Sequence, residues 1–160
     1  MNARDAVKIS IDTGDHISMA YLDDLSDADL MRRPCQGCNH INWQVGHLIA
    51  SEHGMMEQLA PGSSPALPEG FVEKYAKTTS EVDDPHAFCT KNELLTVHKA
   101  QREATLAILA KMSDEDLGKP TGVDYAPTVA SMFSLQGLHW LMHSGQWVVV
   151  RRELGRKPLF

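Results

Sequence analysis

The sequence predicts an all-α protein, an up-down four-helix bundle with a long loop between its second and third helices. Three observations lead there. No stretch of the 160 residues alternates apolar and polar side chains with the two-residue period of a strand. Four long segments, each free of proline, carry apolar residues at helical intervals. The segments between them hold the prolines and turn glycines, so the breaks are as legible as the helices. Four helices joined by three connections pack most simply as a bundle, with cofactor sites built from inward side chains of facing helices.

The first helix, Ala6 to Leu25, carries Val7, Ile9, Ile11, Ile17, Met19, Leu22 and Leu25 among Asp, Ser and His. Ser26-Asp-Ala-Asp29 reads as a cap and short turn leading to Met31. Arg33-Pro-Cys-Gln-Gly-Cys-Asn39 is a loop. The second helix, Ile41 to Leu59, stops at Ala60-Pro-Gly-Ser-Ser-Pro65. Leu48, Met55 and Leu59 make one stripe, and Val45, Ile49 and Met56 widen it. A helix too broadly apolar for one contact packs on two sides, which predicts a homodimer surface here. Pro61 to Phe88 reads as a long ordered loop with a helical turn around Phe71 to Ala76, and loops of this length tend to be functional. Thr90-Lys-Asn-Glu93 is a capping box opening the third helix, which runs to about Met112. Ser113-Asp-Glu-Asp116 then mirrors Ser26-Asp-Ala-Asp29. The fourth and longest helix spans Thr128 to Leu154 and is ended by Gly155 and Pro158.

Composition bounds the rest. The length suits a single domain, residues 1–160, with a real hydrophobic core. A net charge of −6 argues against nucleic acid, which needs clustered Lys and Arg. The one basic cluster, Arg151-Arg152 with Arg156-Lys157, closes a helix, where positive charge complements the dipole. No run of about eighteen apolar residues exists to cross a membrane, and no secretion signal is visible. Three cysteines are too few for a disulfide scaffold, so a reducing cytoplasm is the expected location.

His139 and His143 stand four residues apart in the fourth helix, one above the other on the same face. Two imidazoles so placed can share a metal ion; the alternative is a pair of core histidines bonded to backbone or neighbouring side chains. Met132, Leu135, His139, Met142, His143, Gln146, Trp147 and Val150 fall within roughly a third of the helix circumference. That arc predicts that the histidines point into the core. A third ligand must come from another helix. His47 is the best candidate, mid-helix beside Gly46, whose missing side chain lets another backbone approach closely. Three histidines with a fourth position open is the pattern of a catalytic zinc site. The open position can take water, whose pKa falls, or a thiol held as thiolate.

Other candidates stay open beside this set. His98 lies on the apolar face of the third helix and could be a fourth ligand or a partner of one; His16 has weaker standing on the first helix. His40, His53 and His86 read as exposed or capping. Gln146 could orient a ligand or make an ordinary interhelical hydrogen bond, and Trp43 and Trp147 could wall a pocket or fill the core. Cys35-x-x-Cys38 has redox or half-zinc-site spacing, but no second such pair completes it and no βαβ pattern surrounds it; it is read as free thiols.

Trp43-Gln-Val-Gly-His-Leu48, His139-Trp-Leu-Met-His-Ser-Gly-Gln146 and the ending Val150-Arg-Arg-Glu-Leu-Gly-Arg-Lys-Pro-Leu159 together resemble the DinB-like superfamily of metal-binding four-helix bundles. The resemblance covers nearly the whole chain in order and spacing. It implies that His47, His139 and His143 form a metal triad, with zinc first and nickel second as the divalent ion. It also implies a homodimer. Members with known chemistry are thiol-dependent S-transferases or isomerases that use small thiols such as bacillithiol or mycothiol. The expected function is therefore a metal-dependent thiol S-transferase, with a small thiol and an electrophilic small molecule as partners. Catalytic residues beyond the ligands are not identifiable. The alternative is a non-catalytic metal-binding or metal-sensing bundle.

Overall fold

The computed structural model describes residues 1–160. It is helical throughout: α1 Ala3–Asp23, α2 Asp27–Leu30, α3 Ile41–Leu59, α4 Phe71–Lys74, α5 Lys91–Leu109, α6 Asp114–Leu117 and α7 Val129–Glu153. The four long helices α1, α3, α5 and α7 make the bundle. The only β pairing is one isolated bridge between Pro120 and Thr128.

Local chemistry sets the helix starts. Asn2 caps α1 in a reciprocal box with Asp5, which starts that helix three residues earlier than its apolar pattern. Thr90 and Glu93 form the box at α5, and Thr128 with Ser131 the one at α7. The twin sequences Ser26–Asp29 and Ser113–Asp116 both fold as capping boxes, and each opens a single-turn helix.

Glycine decides how α1 meets α7. A methyl group at Gly14 would lie 2.3 Å from the Gly137 carbonyl oxygen, and one at Gly137 would lie 2.3 Å from that of Ser10. The two backbones therefore touch, and no other residue fits at either position.

The core has two apolar parts. One holds Leu22, Trp43, Leu48, Ile49, Leu94, Trp140 and Trp147; the other holds Val7, Ile11, Met56, Ile108, Leu117 and Phe133. On every long helix the buried residues between these two groups, glycines apart, are polar. Glu52 is wholly buried, and it accepts from Arg102 Nη2 at 2.9 Å and from Thr105 Oγ1 at 2.7 Å. The same Arg102 nitrogen reaches the Gln136 carbonyl at 3.0 Å, so α3, α5 and α7 are tied at one level. Asp15 of α1 joins it through His98 Nε2 at 2.7 Å.

Two expectations are corrected. Val45, Ile49 and Met56 are all internal, so α3 offers no spare surface. Its second side is covered by the segment after it, where Phe71, Tyr75 and Phe88 are buried against it. That segment is the long ordered connection expected, with its helical turn at α4, and it adds two 3₁₀ turns, Lys77–Thr79 and Pro85–Ala87. The exposed apolar stripe is on α7 instead, where Leu138, Met142 and Val149 are 52%, 63% and 45% exposed. Finally, Cys35 and Cys38 are joined as a disulfide, not free. Gly37 at φ +81° turns the chain, the Cys38 amide donates to the Cys35 carbonyl, and the Cα atoms come to 5.4 Å, within disulfide reach. No helix is long and apolar enough to cross a membrane.

Candidate metal centre

His47 on α3 and His139 and His143 on α7 converge, with one ligand atom from each lying within 4.8 Å of the others. The ring centroids are 5.0 Å apart for His139 and His143, and 5.5 and 5.9 Å from His47 to each. All three rings are half-buried. This differs from the central, core-facing position expected of them. The fully buried face of α7 runs through Phe133, Gln136, Trp140, Ser144 and Trp147, and the histidines lie on its flank toward α3. Because α7 is apolar nearly all round, its periodicity does not mark that face.

Aromatic packing holds the α3 side. Trp43, one turn before His47, stacks on its ring at 5.1 Å with the planes 6° apart. The Trp43 indole donates to Thr79 Oγ1 at 3.0 Å, so the segment after α3 anchors the wall of the site. Gly46 has a different use from the one expected. It receives the ring of Tyr75, whose nearest atom would be 2.2 Å from an added methyl group, and not another backbone. The Tyr75 hydroxyl in turn donates to Asn42 Oδ1 at 3.2 Å, and burial pushes its pKa far up.

The electrostatics favour neutral rings. Burial lowers the His47 pKa below its ordinary value. Burial and the neighbouring imidazoles lower His139 and His143 further, to about 4. At neutral pH all three offer lone pairs, the form that ligates metal. A zinc ion with Zn–N bonds of about 2.0–2.1 Å needs donors roughly 3.3 Å apart. A spread of up to 4.8 Å closes to that by side-chain torsion, so the donor set fits a divalent ion. No carboxylate or thiol joins the cluster, and a bound ion would keep its full positive charge.

The remaining histidines fall elsewhere. His98 bonds Asp15 and lies 4.3 Å from Trp140, ring to ring, outside the cluster. His16 sits near Phe160 in an open depression of about 750 Å³ with Asp12, Asp15 and Asp23. His40 is buried and caps α3: its Nδ1 accepts from the Trp43 amide at 3.0 Å, and its Nε2 donates to the Val82 carbonyl at 3.2 Å. His53 meets Gln101 at 3.1 Å, and His86 is exposed. Trp147 is fully buried, so its role is core packing, although its indole also reaches the site.

Gln44 is the residue that sequence reasoning missed. It is buried behind the histidines and contacts His143 Nδ1 through Oε1 at 3.0 Å. Its amide also donates to Gln146 Oε1 at 3.1 Å, which places Gln146 in a network behind the site. The available signal was its place three residues before His47, on the same helix face.

The model of the DinB superfamily matches residues 11–147. Among solved structures, the crystal structure of a conserved protein from Enterococcus faecalis superposes with a TM-score of 0.70 at 19% identity, covering 98% of this chain and 99% of that one. At that identity the likeness shows a shared fold. No curated protein matches the chain. Since the family match spans most of the sequence, the chain belongs to the DinB superfamily.

Proposed function

We propose that the protein binds one divalent metal ion through His47, His139 and His143, zinc first and nickel second. The observation that carries this is the convergence of three neutral imidazoles from two helices, with no charged side chain among them. A bound ion would act there as a Lewis acid, lowering the pKa of a water or thiol in the coordination position that the protein leaves free. Supported by the family resemblance, the reading extends to a metal-dependent S-transferase. A small thiol would lose its proton to solvent, and its sulfur would form a bond to an electrophilic carbon of a small molecule while the leaving group on that carbon departs with the bonding electron pair. The chain's own contribution is binding and orientation: the stacked Trp43 ring keeps water from one side of His47, and burial keeps the rings unprotonated.

Metal analysis of tag-free protein tests the first step. One equivalent is expected in the wild type, and a His139→Ala, His143→Ala double variant with the same content would exclude the site. A screen of zinc- and nickel-loaded protein with several thiols and a chromogenic electrophile tests the second. Turnover is expected to exceed that of His47→Ala. The absence of any carboxylate or thiol in the cluster to move a proton favours a second reading, a metal-binding or metal-sensing bundle without catalysis. Full metal content with no turnover above His47→Ala for any thiol selects it.

A further inference from the structure

We infer that Gln44 is a positioning residue that fixes His143 in the tautomer protonated on Nδ1, leaving Nε2 as the nitrogen that His143 can offer to a ligand. The tautomer follows from hydrogen bonding alone; its use toward a metal ion rests on the function proposed above.

Gln44 is 1% exposed and lies on α3, three residues before His47. A primary amide has two N–H donors and two acceptor lone pairs on oxygen. Here all four are used. Nε2 donates to the Asn39 carbonyl at 2.6 Å and to Gln146 Oε1 at 3.1 Å. Oε1 faces Trp147 Nε1 at 2.9 Å and His143 Nδ1 at 3.0 Å.

Two of these partners admit one role each. An indole N–H only donates, so the Gln44 atom facing Trp147 is the oxygen. A backbone carbonyl only accepts, so the atom facing Asn39 is the nitrogen. The amide therefore cannot flip without breaking both bonds and leaving buried groups unsatisfied. With its oxygen fixed as the acceptor, His143 Nδ1 must carry the hydrogen, and the lone pair of the neutral ring is on Nε2. An unrestrained imidazole favours the opposite tautomer, so this is a constraint imposed by the fold. Neither His47 nor His139 has a hydrogen-bond partner of this kind, which makes Gln44 specific to one ligand of the three. A hydrogen bond from the non-ligating nitrogen also fixes ring orientation and raises ligand basicity, and losing one typically weakens metal affinity about 10- to 100-fold.

The test reads tautomer and affinity separately. Long-range proton–nitrogen NMR on the metal-free wild type is expected to show His143 protonated on Nδ1; a proton on Nε2 overturns the inference. Gln44→Leu, with folding checked by circular dichroism, is expected to shift His143 toward the Nε2–H form and to weaken zinc binding in a chelator competition about 10- to 100-fold. Gln44→Glu keeps an acceptor for both Trp147 and His143, so it should retain the Nδ1–H form and bind zinc more tightly than Gln44→Leu. A folded Gln44→Leu protein with wild-type zinc affinity, or a Gln44→Glu protein as weak as Gln44→Leu, overturns the positioning role. Should Gln44→Leu not fold, the wild-type tautomer and the Gln44→Glu comparison with wild type decide it. Wild-type protein that shows the Nδ1–H form yet binds neither zinc nor nickel supports the clamp and overturns only the metal reading.

Discussion

His139 and His143 titrate near pH 4 in the folded chain, first because they are buried and then because imidazoles crowd one another. In an unfolded chain the same rings take up protons from about pH 6.5 downward. Between those values the unfolded state binds more protons. The metal-free protein should therefore keep this contribution in full above about pH 6.5 and lose it as the pH falls toward 4. Urea midpoints across that window check the expectation, and His139→Leu, His143→Leu should flatten the decline. An equally steep decline in the double variant would assign the pH dependence to other groups. Glu52 makes a contrasting case at the same scale. Glu52→Ala removes the carboxylate that Arg102 and Thr105 both bind, and leaves the buried guanidinium with only the Gln136 carbonyl and the more distant Asp15 carboxylate at 3.7 Å. A loss of about 3–5 kcal/mol by urea denaturation is expected.

At the scale of elements, the crossing of α1 and α7 is the least forgiving contact. Gly137→Ala would place a methyl group 2.3 Å from the Ser10 carbonyl oxygen, and only a shift of a whole helix relieves it. Thermal unfolding should register a loss of about 1–3 kcal/mol or more, whereas Gly145→Ala, with open space around it, should be neutral or stabilising. The same elements show what could be read in advance. Thr90 with Glu93 marked the start of α5 because a capping box is a local event, complete within four residues. The i, i+4 pair on α7 was legible for the same reason. The facing direction of α7 was not, because Leu138, Met142 and Val149 make its exposed side as apolar as its core side. The broad apolar surface of α3 was correctly seen but assigned to a partner chain. Phe71, Tyr75 and Phe88 cover it from farther along the same chain, a contact that no local pattern encodes. Gln44 was hidden in the same way, since its meaning depends on Trp147 and His143 about a hundred residues on.

For the whole molecule, we propose that the homodimer expected from the sequence uses the exposed α7 stripe, since α3 has no free apolar surface. Sedimentation equilibrium at micromolar concentration is expected to return twice the 17.7 kDa chain mass, and Met142→Glu to return the single chain. A wild-type monomer would end that expectation.

The polar layer across the middle of the bundle has a consequence for where the histidines meet. Apolar helix faces tolerate sliding, because one leucine substitutes readily for another in the same groove. Glu52, Arg102 and the Gln136 carbonyl do not. If α3 slipped against α7 by a single turn, a wholly buried carboxylate would face hydrocarbon, at a cost no alternative packing offsets. The layer thus acts as a vernier: it sets the axial alignment of α3 and α7, and with it the level at which His47 stands opposite His139 and His143. Replacing the charged pair with Glu52→Leu and Arg102→Met should leave overall stability equal or higher, while zinc affinity falls as the alignment loosens. Unchanged affinity in that variant would mean that the glycine crossing and the two apolar parts of the core hold the helices in step without it.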